Sequence, residues 1–374
     1  MACIRSNRYH RGLRCSITGE GRLRTVPSSI LLIRNDKIGD FVLSLPCFAL
    51  LKNIWPSVQT IALVPEYTRP LAEACPWIDE VIIDPGAKAG IGSQWRLVRL
   101  LRQRRPDAQI TLFSTTRIGL LTLLGAIPSR LAPATKLAQL FYRHTLRQRR
   151  SQSLKPEYEY NLDLVHHYIS RVGHKVDYKP NPPYLRLGNQ DHTIARLSLQ
   201  RQTGVEAIQD LICIHPGSGG SANNLSGHQY AELASLLTKT TSLPIVLTAG
   251  PGELEATKRV QATLLQQFDI EMPVFESREG LLPFVALLAT CRLFIGGSTG
   301  PLHIAAAMNT RTVGFYPASR VNSSLRWQTL NDESRRLAFC PPATPNPDDM
   351  SRIDLSVCCQ RIHAVFLEQT SPQT

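Results

Sequence analysis

A chain of 374 residues that is 43% hydrophobic and 19% charged has room for two domains with their own cores, and is too polar for a polytopic membrane protein. No apolar run reaches the roughly 20 residues a spanning helix needs, and nine scattered cysteines without CxxC or zinc spacing argue against a disulfide framework and for a reducing cytoplasm. The net charge of +13 is uneven: residues 94–150 hold twelve Arg or Lys against Asp107 alone, an excess that attracts an anionic surface or acceptor.

Residues 1–27 carry six arginines and one glutamate without the apolar segment of a signal peptide, and read as a basic, disordered extension. Ile30–Ile33 is an apolar run of strand length, followed by a polar turn to Asp40 and a helical segment, Phe41–Leu51. Thr60–Val64 reads as a strand, Glu66–Ala74 as a helix and Glu80–Asp84 as a strand. Gln94–Arg105 follows as a helix, Ala108–Phe113 as a strand and Thr116–Leu124 as a helix. The proline-rich stretch Tyr178–Tyr184 should be extended and open an interdomain connection. A second series begins with the strand Asp210–His215. It continues with the helix Gly227–Thr238, the strand Pro244–Ala249, the helix Gly252–Gln267 and the strand Pro273–Phe275. Gly280–Ala289 is a helix, Leu293–Ile295 a strand, Thr299–Met308 a helix and Thr312–Tyr316 a strand. A last helical pattern covers Leu355–Leu367. Strands alternating with helices in two series imply an α/β protein of two Rossmann-like domains with parallel sheets, facing across a cleft.

Three strand-to-helix turns could carry chemistry. HPGSGGSANN (His215–Asn224) is rich in small residues, so its amides and the following helix N-terminus could approach an oxyanion such as a diphosphate. It matches neither a Walker A loop nor GxGxxG, and a plain tight turn explains it equally well. GGSTGPLHIAAA (Gly296–Ala307) is the second, with His303 one turn into its helix, where a histidine also serves as a core residue. IRNDKIGDFVLSLP (Ile33–Pro46) places Asp36 and Asp40 in the first turn of the other half. Asp40 could cap its helix, or it could take a proton from a hydroxyl as that hydroxyl attacks.

These three stretches, in this order and spacing, resemble the lipopolysaccharide heptosyltransferases of glycosyltransferase family 9; LVPEYTRPLAEACPWIDEVIIDPG adds to the likeness, which covers about residues 28–340. The resemblance implies a GT-B-like fold. It implies an inverting transfer of heptose from ADP-heptose to the inner core of lipopolysaccharide, without a metal or other cofactor. It implies Asp40 as catalytic base and a donor site at Ser218, Gly219, Gly220, Asn223, Glu253, Ser298, Thr299, Gly300 and His303. Asp36, Lys37 and Arg117 are the expected acceptor contacts. The acceptor is expected to be an anionic glycolipid, met by a cytoplasmic protein that sits peripherally on the inner membrane. The expected domains are an acceptor domain over 28–185, a donor domain over 186–345, and a tail over 346–374 that packs back on the acceptor domain. Three positions depart from the family pattern: Asn223 and Leu225 replace a lysine and an aromatic residue, and Ser298 replaces an aspartate. A family-9-type transferase with another donor or acceptor therefore remains an alternative, as does a non-catalytic relative. A nucleic-acid-binding protein is disfavoured by 7% aromatics and the lack of a nucleic-acid motif.

Overall fold

The computed structural model describes residues 26–135, 137–218 and 223–368. Almost all of the expected extension at 1–27 thus lies outside the described residues, and so do Gly219 and Gly220 of the first glycine-rich loop.

Each half of the chain builds a six-stranded, all-parallel sheet. The first contains β1 (Ser29–Ile33), β2 (Gln59–Pro65), β3 (Glu80–Asp84), β4 (Ala108–Thr111), β5 (Ser129–Pro133) and β6 (His144–Leu146), in the order β3-β2-β1-β4-β5-β6. The second contains β7 (Ile212–His215), β8 (Ile245–Ala249), β9 (Val274–Glu276), β10 (Leu293–Gly297), β11 (Thr312–Phe315) and β12 (Arg336–Phe339), in the order β12-β11-β10-β7-β8-β9. The two orders are the same winding. Central strands such as β1 (SILLI) and β10 (LFIGG) are buried at every position, because helices cover both faces of a parallel sheet. In this winding the connections reverse direction beside the first strand, which opens a crevice at the carboxyl ends of the first and fourth strands. Those strands are β1 and β4 in one half, β7 and β10 in the other. The expected pair of Rossmann-like halves is therefore present.

Several elements were not expected. β5, β6 and β12 complete the sheets, and helices span Glu157–Arg171 and Asn189–Thr203. The predicted helix Phe41–Leu51 is two helices, Ile38–Val42 and Leu45–Ile54, with Pro46 in the first turn of the second. The helix Asn189–Thr203 packs on Leu281–Thr290 and so belongs with the second sheet.

The expected docking of the tail on the first half is corrected. Its helix, Leu355–Ile362, lies on the helix Gly227–Thr240. Met350, Ile353, Leu355, Cys358, Ile362 and Phe366 are buried in the same cluster as Ile212, Leu233 and Val313 of the second half. The apolar face of the helix found its partner nearby in its own half.

The halves meet through a continuous apolar cluster that runs from Phe48 and Leu50 through the buried Tyr184 to Leu302 and Ile304. Tyr184, in the connection between the halves, donates its backbone N–H to Ala307 (2.8 Å), and Arg186 donates to Ala74 (2.8 Å), so the connection is stitched to both sides. The helices Ile38–Val42 and Gly300–Ala307 also pack together. The crevices of the two sheets face each other across this contact.

Candidate functional site

Arg34, at the end of β1, is buried and organises the first half's side of the cleft. Its Nε donates to Asp36 Oδ1 (2.8 Å), Nη1 to Glu157 Oε1 and Asn161 Oδ1 (3.1 Å each), and Nη2 to Asp40 Oδ1. One guanidinium thus serves three carboxylates. Burial raises the Asp40 carboxyl to about 6; Arg34 opposes this, while Asp36 and Glu157 add to it. Asp40 is not a cap: the N-cap is Lys37, and the Asp40 carboxylate turns to Arg34 instead. A partly buried carboxylate with a raised pKa in a cleft has the character of a general base poised near neutrality.

Glu157 opens the helix Glu157–Arg171 and is buried among Arg34, Arg150 (2.6 Å) and Arg326. Arg326 comes from the second half. The Glu157 N–H also bonds the Arg326 carbonyl at 2.9 Å, and Gln328 Nε2 donates to the Tyr158 hydroxyl at 3.2 Å. The polar network behind Asp40 therefore spans both halves.

On the opposite side, Thr299 precedes the helix Gly300–Ala307, with Pro301 in the first turn. Among the described residues, neither the buried Thr299 Oγ1 nor the buried His303 Nδ1 has a hydrogen-bond partner. Burial lowers the His303 pKa to about 4, so its imidazole is neutral at physiological pH. A buried polar atom left unpaired is costly unless a ligand completes it.

Glu253, just after β8, accepts the Gly250 N–H (2.9 Å), and its Oε2 lies 3.1 Å from the Nε2 of the buried His215. His215 Nδ1 lies 3.0 Å from Thr248 Oγ1, which fixes the ring. Gly217 makes this arrangement possible, because a Cβ there would lie 2.4 Å from the Glu253 carboxylate. After the first loop, Ser226 and Gln229 form a reciprocal capping box that starts the helix Gly227–Thr240.

Between these surfaces lies a cavity of about 450 Å³, within the range of pockets that bury a small ligand. Its lining joins Lys37, Gly39 and Asp40 of the first half to Ser218, Asn223, Glu253, Ser298, Thr299, Gly300 and His303 of the second. Every expected donor residue among the described ones is there. Asn223 spends one amide N–H on the Asp348 carbonyl. Lys37 is exposed and is the only Lys or Arg in the described lining.

Two expected acceptor residues lie outside this lining. Asp36 is held by Arg34, and its carbonyl accepts the Tyr67 hydroxyl. Arg117 donates to Asp84 Oδ1 (2.9 Å) and Gln94 Oε1 (3.0 Å) and pairs with Asp84 Oδ2. Burial alone would raise the Asp84 pKa, but bonds from Arg117, Asn35 and Gly86 bring it below the usual value. Sequence reasoning missed Arg34, Glu157, Tyr67, Asn322 and Trp327, of which the last three line the cavity. A signal for Glu157 existed: it is the first carboxylate after Asp107.

Comparison with known proteins gives the family and the fold. The model of "Glycosyltransferase family 9 (heptosyltransferase)" matches residues 94–342. A Haemophilus influenzae protein, named only as a proposed glycosyltransferase, is 45% identical over 84% of this chain and 89% of its own length. Lipopolysaccharide heptosyltransferase 2 of Escherichia coli is 24% identical over 78% of this chain and 83% of its own. The solved structure of E. coli ADP-heptose lps heptosyltransferase II superposes with a TM-score of 0.74 at 20% identity, covering 92% of this chain and all of that one. With its GT-B fold and its matched family model, the chain belongs to glycosyltransferase family 9 and is a glycosyltransferase related to the lipopolysaccharide heptosyltransferases.

Proposed function

We propose that the chain transfers heptose, with inversion, from ADP-heptose to an anionic glycolipid of the lipopolysaccharide inner core at the cytoplasmic face of the inner membrane. The observation that carries the catalytic part is the Asp40 carboxylate, raised to about 6 and lining the same cavity as the unpaired Thr299 Oγ1 and His303 Nδ1. Asp40 removes the acceptor hydroxyl proton. The acceptor oxygen then bonds to the anomeric carbon as the bond from that carbon to the diphosphate oxygen breaks, and ADP leaves with the electron pair.

The leaving diphosphate carries negative charge that must be met locally. The N-terminus of the helix Gly300–Ala307, the Thr299 hydroxyl and a neutral N–H of His303 supply dipoles. Lys37 supplies the full charge from the opposite wall, in place of a lysine absent at Asn223. This set needs no metal. Glu253, held beside His215, is suited to the nucleoside hydroxyls.

A second reading, the same reaction with another nucleotide-sugar, is favoured by Ser298 and by the partly engaged Asn223 amide. The test is a thermal-shift panel of nucleotide-sugars, since a ligand of the native state raises its apparent stability. Stabilisation by ADP-heptose above ADP-hexoses supports the heptose reading. Selective stabilisation by another sugar nucleotide transfers the assignment to that donor, and no response to any member of the panel overturns the donor-site assignment.

A further inference from the structure

The first half carries an apolar outer face that neither its core nor the cleft explains. On the helix Thr116–Leu124, Leu120 and Leu123 are 42% and 41% exposed; on the adjoining turn Leu137–Phe141, Leu137 and Leu140 are 71% and 76% exposed. The two elements lie in direct contact because residue 119 is glycine: a Cβ there would be 2.8 Å from Phe141 Cβ. Scattered exposed leucines are ordinary, but four on two touching elements make a patch.

Cations frame it. Arg102 Nε donates to the Leu124 carbonyl (2.8 Å) at one end, and Arg130 Nε to the Phe141 carbonyl (3.0 Å) at the other. Arg143, two residues beyond Phe141, is exposed and has no ion-pair partner among the described residues. Between residues 108 and 156 the sequence contains no Asp or Glu. The loops beside the face approach the residues behind the site. Ser114 Oγ and Thr135 Oγ1 are 2.5 Å apart beside it, and the exposed Phe113 ring lies 5.9 Å from the guanidinium carbon of Arg34, the partner of Asp40.

We propose that this face, Leu120, Leu123, Leu137 and Leu140 framed by Arg102 and Arg143, docks the protein on an anionic lipid bilayer. Leucines enter the boundary between headgroups and acyl chains while the arginines contact the headgroups. Charge complementarity selects the occupant: a protein or a second copy of this chain would have to present acidic groups around an apolar centre, whereas anionic lipid offers both at once. The purpose rests on the reading of a lipid-borne acceptor above, because the face leads from the bilayer towards Asp40.

The test is co-sedimentation of the full chain with phosphatidylcholine vesicles, with and without phosphatidylglycerol. Expected is binding to the anionic vesicles, weakened by salt. The pair Leu137→Asp/Leu140→Asp lowers partitioning by more than about tenfold, and Arg143→Glu by at least about fivefold. Both variants should keep the wild-type melting temperature and its response to nucleotide-sugars, which separates this outcome from failure of the transferase reading. Equal binding to neutral vesicles, binding indifferent to the leucines, or no vesicle binding overturns the proposal. So does a dimer that the paired leucine change dissolves, which assigns the face to a second copy.

Discussion

The backbone of Gly39 lies against the imidazole of His303: a Cβ on Gly39 would sit 3.0 Å from His303 Cδ2. One residue belongs to the turn that carries Asp40, the other to the helix behind Thr299, so this contact joins the two walls of the cleft. Gly300 approaches from the same helix, where an added Cβ would lie 3.3 Å from Ile38 Cγ2. Gly39→Ala should move the two walls apart and lower turnover by about tenfold, because small misplacements at reacting groups are amplified. Gly39→Val should lower it further. Steady-state kinetics beside a thermal melt separate this from unfolding, and unchanged turnover in both variants would show that the contact has no part in positioning.

Asp40→Asn keeps the shape and removes the base. Turnover should fall by about 10² to 10⁴-fold, while donor binding, read by calorimetry, changes little. In the wild type the base must be ionised to act, so the rate should rise with pH through about 6 and then level off. The same group affects stability in the opposite sense. Its folded pKa is raised above the ordinary value of 3.8, so its favourable contribution is complete below that value and lost as pH rises through about 6.

Glu157→Gln tests the network behind the base. Glu157 raises the Asp40 pKa, so its neutralisation should shift the acidic limb of the rate profile to lower pH. It also leaves the buried Arg34 and the half-buried Arg150 and Arg326 short of a counter-charge, a loss of about 3 to 5 kcal/mol when one member of a buried ion cluster is removed. The displaced limb distinguishes a positioning role from a purely structural one. An unshifted limb with reduced stability would confine Glu157 to folding.

Lys37→Ala removes the only full positive charge of the described cavity lining. Charge-assisted hydrogen bonds contribute about 1.5 to 3 kcal/mol, so the donor KM should rise by about ten- to a hundredfold. The acceptor KM should change less. Wild-type activity should persist in a chelating buffer. Loss of activity on chelation, with recovery on adding a divalent ion, would move the charge-stabilising role from Lys37 to a metal.

The crevice-forming parts of the fold were legible in the sequence because they are chemically simple. β1, β7 and β10 are short, mostly apolar runs ending in polar or glycine-rich turns, and each of the three turns singled out from the sequence contributes described residues to the cavity lining. What escaped notice has a physical reason in each case. β6 and β12 are edge strands of three and four residues without a fully buried run. The helix Glu157–Arg171 buries Glu157 and Asn161 one turn apart, so part of its inner face is polar; those residues hold Arg34. The helix Asn189–Thr203 buries only Ala195, Ser198 and Leu199, too thin a stripe to read as periodic. The tail carried a clear amphipathic pattern, but a pattern names a face and not its partner.

The placement of that tail on the second half alters the mechanics of the enzyme. Had it returned to the first half, two lengths of chain would bridge the cleft. Among the described residues, the polypeptide crosses once, through the segment between Arg171 and Asn189. A single tether leaves the mouth of the cleft to be held by weaker, reversible clasps: the apolar seam, the Gly39–His303 abutment and the Glu157–Arg326 pair. Such an assembly can open without stretching a covalent link between the described halves, and one proteolytic nick in that tether would leave them joined by non-covalent contacts alone.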